Sequence, residues 1–323
     1  MHAGSEENIP PAPMSTACPV CETASFLPYR EISSSLEEIP EGLDRGRSVL
    51  ARVEYCRQCG LYRTVHISEQ RSAATLYEED SVSFDASRDK VDHAGGRCIS
   101  STDEFALLSR KLPGSLLDVG CGAGQFLLRA CDAGHEAMGV DLDPRAVRFA
   151  REELGMDVRR GSLEELDDER VFDVITLFGV LEHVARPKRF LEKTRQLLAP
   201  GGELVIGVPN VASLNRRVSR LSRHDWDMFL EPGHLYHYNL RTLTSLASQA
   251  GLELRRWSTA TITIRGKIPF APVRVVKLER QIRDMTSASR LAESVYVACL
   301  RFLDLWRAGD ILLATYKERI ADV

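Results

Sequence analysis

A chain of 323 residues exceeds one average domain and can bury a full core. With 44% hydrophobic and 27% charged residues it has the composition of a soluble globular protein, and a net charge of −4 gives no global case for a nucleic-acid partner. It contains no run of 18 apolar residues, which excludes an ordinary transmembrane helix. Residues Met1 to Met14 are polar and proline-rich and lack a secretion pattern, so a disordered start and a cytoplasmic protein are expected.

Cys18-Pro19-Val20-Cys21 and Cys56-Arg57-Gln58-Cys59-Gly60 are two tight turns, each aiming two thiols at one point. In a chain without a signal such pairs read as metal ligands rather than disulfides. Four sulfurs close a tetrahedral Zn²⁺ site with no position left for water, so the ion is structural. Redox-active dithiols are the competing reading. A ribbon is expected over 15–66, with Ser48 to Tyr55 as a strand leading into the second pair. A polar connector follows over 67–100; Tyr62, Tyr77 and Phe84, spaced through Leu61 to Gly96, read as anchors to the core. Ser101 to Lys111 has a helical pattern, broken by Pro113-Gly114.

Alternating strands and helices then run to residue 264. Ser115 to Val119 is a short apolar strand, followed by Gly120-Cys121-Gly122-Ala123-Gly124 and a helix from Gln125 to Ala133. Alternate glycines let a ligand approach the backbone, and the helix start offers unpaired N–H groups. Glu136 to Asp141 is a second strand. Its last carboxylate falls about 20 residues past the turn, where a βαβ nucleotide fold places the acid that grips ribose hydroxyls. Asp143-Pro144 instead opens the next helix, Arg145 to Leu154, as N-cap and first residue. Val158 to Leu163 is a third strand. Val171 to Leu177 is a fourth, apolar enough to be buried on both faces. It delivers Phe178 and Gly179 to the carboxyl edge of the sheet, where ligands collect. Glu182 and His183 follow at once. His183 is a candidate general base, since neutral imidazole takes a proton near pH 7; capping of the segment before Pro187 is the alternative.

Lys188 to Leu198 is an amphipathic helix stopped by Pro200-Gly201-Gly202, and Glu203 to Val208 is the fifth strand. Arg216, Arg217, Arg220 and Arg223, within Leu214 to Arg223, read as a solvated face, with an anion site as the alternative. The insertion Glu231 to Tyr238 carries His234, a second candidate base or donor, and Tyr236 and Tyr238 as pocket walls. His234 and His237 have no third donor nearby in sequence, so no metal is expected there. Leu240 to Ala250 is a helix and Glu253 to Ile264 a sixth strand. Residues 265–308 form a basic, amphipathic helical insertion. The stripe within Ser289 to Trp306 predicts core or homodimer contact, with a membrane surface as the alternative. Ile311 to Tyr316, within 309–323, is the last core strand.

The stretches L-L-D-V-G-C-G-A-G, G-V-D-L-D-P, F-D-V-I-T-L-F-G-V-L-E-H-V and L-L-A-P-G-G-E-L-V-I, in that order, resemble the class I S-adenosylmethionine-dependent methyltransferases. The resemblance spans about Asp103 to Leu254 plus the last strand. The spacing of Gly120, Gly122 and Gly124 departs from the G-x-G-x-x-G of dinucleotide oxidoreductases. The resemblance implies an α/β, Rossmann-like, seven-stranded sheet with an antiparallel last strand. It implies S-adenosylmethionine as cofactor, contacted by Asp118, Gly120, Cys121, Gly122, Gly124, Asp141, Leu142, Ser162, Leu163, Phe178 and Gly179. Where the family commonly has an acid for the adenine amine this chain has Ser162, which leaves the hydroxyl or the Leu163 backbone. L-E-H-V resembles the quinone-pathway O-methyltransferases, in which a glutamate three residues earlier joins the pair. That position is Gly179 here, so their metal-assisted mechanism is not implied. The family usually places acceptor residues in the insertion that holds His234. The paired cysteines resemble the zinc-binding domain of sugar C-methyltransferases, whose extra C-terminal domain is not expected here.

The combined expectation is a small-molecule methyltransferase. It would act most naturally on oxygen of a sugar or other hydroxylated metabolite, free or lipid- or carrier-linked, with His183 or His234 as base and Glu182 beside them. Sugar C- or N-methylation and RNA methylation through the ribbon are the alternatives. No DNA partner is expected, and RNA is disfavoured because the N-terminal hundred residues lack interleaved basic and aromatic residues.

Overall fold

The computed structural model describes residues 16–33, 50–66, 113–166, 170–222, 226–231, 233–260 and 306–319. The expected disordered start, the connector 67–100 with Tyr77 and Phe84, the helix Ser101 to Lys111, Arg223 and nearly all of the insertion 265–308 lie outside these residues. No helix among the described residues is long and apolar enough to cross a membrane.

In the N-terminal part, β1 is Phe26–Ser33, β2 Leu50–Cys56 and β3 Tyr62–His66. The core then runs β4 (Ser115–Val119), α1 (Gln125–Asp132), β5 (Glu136–Asp141), α2 (Pro144–Glu152), β6 (Asp157–Arg160) and β7 (Phe172–Phe178). A 3₁₀ turn (Leu181–His183) and α3 (Pro187–Gln196) follow, then β8 (Leu198–Pro209), α4 (Leu214–Ser222), α5 (Asp227–Leu230) and β9 (Tyr236–His237). The last elements are α6 (Leu240–Gln249), β10 (Leu252–Ala260) and β11 (Ile311–Glu318).

The larger sheet has seven strands in the order β10-β11-β8-β7-β4-β5-β6. β4 to β8 pair in parallel through β7, and β11 runs antiparallel to both β8 and β10, as expected. Strand order reverses between β4 and β7, so the turns after these two strands face one crevice. Both strands are buried on both faces, with Leu116, Leu117, Ile175 and Leu177 wholly inaccessible. Helix starts follow local chemistry. Asp143 caps α2 by accepting from the Arg145 N–H, with Pro144 at its first position, and Asn239 and Thr242 form a reciprocal capping box on α6.

One strand begins earlier than the sequence suggests. Pro200-Gly201-Gly202 lies inside β8 rather than ahead of it, because β8 opens at Leu198 opposite Phe172 and resumes pairing at Glu203 opposite Val174. The extra residues form a bulge. A side chain at Gly202 would lie 2.9 Å from the carbonyls of Ala199 and Phe172.

The smaller sheet extends beyond the segment 15–66 in which the ribbon is expected. Its order is β1-β2-β3-β9, and β9 comes from the insertion at residue 236. Tyr62 and Arg63, read as the start of a connector, belong to β3 and pair with His237 and Tyr236. The Thr64 N–H donates to the Leu235 carbonyl at 3.0 Å, and the Thr64 hydroxyl meets His237 Nε2 at 2.7 Å. Cys18, Val20, Cys56 and Leu61 share one apolar cluster with Leu181, Tyr236, Tyr238 and Leu243. Gln249 on α6 donates to the Val20 carbonyl, and Lys188 on α3 pairs with Glu22 at 3.0 Å. The four cysteines therefore sit on the core, not beside it.

Arg216 corrects the reading of α4 as a solvated basic face. Arg217 and Arg220 are exposed, but Arg216 is 8% exposed and donates to the hydroxyls of Tyr29 and Tyr62 at 3.1 and 2.9 Å. Its guanidinium also lies over both rings. Thr64 and His237 are both buried, so Thr64→Val leaves a histidine nitrogen without its partner. Urea unfolding of this variant should show a loss of about 1–3 kcal/mol with an unchanged denaturant slope.

Candidate active site

The turn after β4 is held from the next strand. The Asp141 carboxylate, at the end of β5, accepts the Gly122 N–H at 2.7 Å with Oδ2 and the Asp143 N–H at 2.8 Å with Oδ1. The Gly120 N–H donates to the Val140 carbonyl at 2.7 Å. Gly122 has φ +53° and open space where a side chain would stand, whereas a side chain at Gly120 would collide with Val180. Of the two positions, then, Gly122 is the one where a ligand can meet backbone. A carboxylate has about four acceptor sites, so these bonds leave capacity for a hydroxyl donor. Burial raises the Asp141 carboxyl, and the hydrogen bonds from Asp143 and Gly122 oppose the rise.

The other predicted contacts divide by where their side chains go. Cys121 is buried in the β4–α1 cluster with its sulfur against Gly139, so only its backbone belongs to the turn. Asp118 is 3% exposed and lies beneath the turn, accepting the Thr176 hydroxyl at 2.6 Å. Leu142 is half-buried beside Asp141. Phe178 is half-buried, edge-on to Phe126 of α1, and Gly179 is exposed at the end of β7. Leu163 is buried, and Ser162 lies past the end of β6. The Ser162 N–H donates to Glu165 Oε2 at 3.0 Å. Glu165 thus brings a carboxylate to the edge where the sequence shows none; the acid three residues downstream was the signal missed.

On the far side of β7 the structure gathers three titratable residues. Glu182 and His183 lie in the 3₁₀ turn, and His234 comes from the insertion. A carboxylate oxygen and one ring nitrogen of each histidine all lie within 4.8 Å of one another. The insertion is tied there by the Leu235 N–H donating to the Glu182 carbonyl at 2.8 Å. His183 Nδ1 meets the Gly233 carbonyl and His234 Nδ1 the Met228 carbonyl, each at 3.0 Å. Burial pushes the Glu182 carboxyl up to about 8. His237, by contrast, turns away to Thr64. Tyr236 reaches toward the Ala185 carbonyl at 3.5 Å, and the Tyr238 hydroxyl is buried with no partner among the described residues. Burial raises both phenols, Tyr236 to about 12. Both rings are wholly buried in the apolar core, which corrects the expectation of pocket walls.

The four cysteines form no disulfide and converge as the spacing predicts. Cys18 and Cys59 sulfurs are 3.5 Å apart, Cys21 and Cys56 3.4 Å, and all four lie within 4.8 Å of one another. Sulfurs at about 2.3 Å from a tetrahedral zinc ion sit about 3.8 Å apart, so this donor set fits the ion. Gly60 after the second pair takes φ +82°, and Glu22 after the first takes φ +60°. The hydrogen bond from Cys59 lowers the Cys18 thiol to about 5, while that bond and burial push Cys59 up.

A family model described as a methyltransferase domain matches residues 91–256. A ubiquinone biosynthesis O-methyltransferase of Cereibacter sphaeroides is 34% identical over 144 residues, covering 38% of this chain and 56% of the relative. One of Nitrobacter winogradskyi is 28% identical over 167 residues, covering 45% of this chain and 64% of the relative. The chain thus spans less than two thirds of the length of these relatives. A solved structure of Burkholderia thailandensis 1,6-didemethyltoxoflavin-N1-methyltransferase, with bound 1,6-didemethyltoxoflavin and S-adenosylhomocysteine, has a TM-score of 0.47 at 19% identity. It covers 80% of this chain and 96% of that one.

Burial raises the Asp118 carboxyl to about 7, against the Thr176 hydrogen bond, so the folded chain keeps a proton that the unfolded chain releases near pH 4. The resulting stabilisation is complete below about pH 4 and is lost as pH rises toward 7. Asp118→Asn removes this dependence. Thermal melts at pH 5 and pH 8 should therefore differ less for the variant than for the wild type.

Proposed function

The chain belongs to the methyltransferase-domain family whose model matches residues 91–256, and from that premise we propose that it methylates a hydroxyl oxygen of a small molecule using S-adenosylmethionine. The observation that carries this reading is the Asp141 carboxylate bridging Gly122 and Asp143 beside an open backbone position. Asp141 would accept the ribose hydroxyls on its remaining lone pairs, and the Gly122 backbone would lie against the amino-acid moiety. Ser162, with Glu165 beside it, would meet the adenine edge, and Phe178 and Phe126 would wall the crevice.

When bound, S-adenosylmethionine supplies an electrophilic methyl group whose thioether leaving group needs no acid. What remains for the chain is alignment, exclusion of water and removal of one proton. Glu182, His183 and His234 lie on the acceptor side of the same crevice. With each Nδ1 turned to a carbonyl, His183 or His234 would take the hydroxyl proton at Nε2. The acceptor is a hydroxylated metabolite, sugars included, in keeping with the O-methyltransferase names of the relatives. The cysteines would hold one structural Zn²⁺ against α3 and α6.

Titration calorimetry should show S-adenosylmethionine binding to the wild type and none to Gly122→Arg, which fills the open position. A screen of hydroxylated sugars, lipids and dihydroxy aromatics should yield S-adenosylhomocysteine with the wild type and at least about tenfold less with His183→Ala. Failure of the wild type to bind at high micromolar ligand contradicts the reading. Metal analysis of the purified protein should find about one zinc, and Cys56→Ser should lower thermal stability more than cofactor affinity. Protein without zinc and with four reactive thiols contradicts the metal assignment.

A further inference from the structure

We propose that Arg216, Tyr29 and Tyr62 form an oxyanion subsite for the acceptor, so that the molecule methylated carries a carboxylate or phosphate group. The proposal deepens the methyl-transfer reading and rests on it for the acceptor's place. Arg216 is 8% exposed, and its Nη2 donates to the Tyr29 hydroxyl at 3.1 Å and to the Tyr62 hydroxyl at 2.9 Å. These phenols are the guanidinium's only hydrogen-bond partners among the described residues, and a hydroxyl offers a dipole rather than a counter-charge. A cation withdrawn from water without a counter-ion is costly, and an apolar side chain between the two rings would avoid the cost. A bound anion offsets it.

The acid on the neighbouring strand is already engaged. Glu54 of β2 is buried, and it pairs with Arg52 at 2.9 Å and Arg63 at 2.7 Å. Ala51 and Val53 alternate with it along the strand and share the cluster of Tyr29, Tyr62 and Phe229. Glu54 therefore faces the opposite side of the small sheet from Arg216. The donors left over suit an oxyanion. Arg216 Nε and Nη1 make no hydrogen bond among the described residues, and each phenol, accepting from Nη2, keeps its own O–H to donate. A planar cation flanked by two hydroxyl donors is the chemistry that recognises carboxylate and phosphate.

The position of this group ties it to the acceptor side. α4, which carries Arg216, follows β8 at the carboxyl edge of the large sheet. α5 touches both groups. Its Phe229 ring stands 6.0 Å from Tyr62 and 4.7 Å from His237, and the adjacent Met228 carbonyl holds His234 Nδ1 at 3.0 Å. An acceptor with its hydroxyl at His183 and His234 reaches Arg216 past this one short helix, so its anionic group lies at the end remote from the reacting oxygen.

Two measurements on the full chain test this. The first reads thermal midpoints in inorganic phosphate and in acetate, each against chloride at equal ionic strength. The wild type should gain at least about 2 °C from one anion or both. Arg216→Gln, and the double variant Tyr29→Phe, Tyr62→Phe, should lose most of that gain while still binding S-adenosylmethionine, the sign of intact folding. Stabilisation by exclusion of phosphate from the surface is common to all three proteins and cancels in the comparison. A gain in phosphate alone assigns a phosphate group, and a gain in acetate alone a carboxylate. The second compares acidic acceptors that yield S-adenosylhomocysteine with their neutral esters. Arg216→Gln should raise KM for the acid at least about tenfold and leave kcat, and KM for the ester, within about twofold. A guanidinium that only staples two tyrosines would impair acid and ester alike. Equal gains in wild type and Arg216→Gln, no gain in either anion, or equal KM increases for acid and ester overturn the proposal. Anion binding requires no turnover. A protein that forms S-adenosylhomocysteine from neutral acceptors, with no gain that depends on Arg216, therefore refutes the subsite and leaves the methyl-transfer reading standing.

Discussion

The site depends on one carboxylate. Asp141 is the last residue of β5, and its two oxygens accept from Gly122 on one side and Asp143 on the other. That bridge does three things at once. It fixes the crossover after β4 in a conformation only glycine adopts without strain. It fastens the start of α2, whose own cap is Asp143. It leaves a half-buried anion facing the crevice at the point where strand order reverses. On the proposed reading, a leucine or asparagine at 141 would forfeit the charge offered to the ribose diol and loosen the turn beside it.

The second organising contact is between sheets. β9 follows the core helices α4 and α5 in the chain, yet pairs with β3 of the cysteine-bearing segment. Leu235 bonds Thr64 through its carbonyl and Glu182 through its N–H. A path of backbone hydrogen bonds thus leads from the strand after Cys59 to the 3₁₀ turn holding Glu182 and His183. The cysteine-bearing segment, through β3, pairs with β9 and bonds Leu235, the residue after His234. On the proposed reading, this segment is part of the wall of the acceptor site.

Much of the seven-stranded sheet was readable in advance because parallel strands buried on both faces are written as short apolar runs, and Ser115–Val119 and Glu136–Asp141 match their expected bounds. The knuckles were readable because Cys-x-x-Cys spacing leaves little geometric freedom. Three things were not. The bulge at Pro200–Gly202 looks in sequence like an ordinary helix stop, and only pairing with Phe172 reveals it as part of a strand. Arg216 has the same local pattern as its exposed neighbours, and its burial is decided by two tyrosines more than 150 residues away. The meeting of His234 with Glu182 and His183 is a tertiary fact. Nearby in sequence His234 has only His237 for company, and that residue faces Thr64.

The most direct measurement is a crystal structure of the chain with S-adenosylhomocysteine. The account predicts both ribose hydroxyls within about 2.5–3.0 Å of the Asp141 oxygens, the nucleoside lying across Gly122, and the sulfur directed toward Glu182, His183 and His234. A nucleoside bound elsewhere, with Asp141 holding only its two backbone N–H groups, would contradict it.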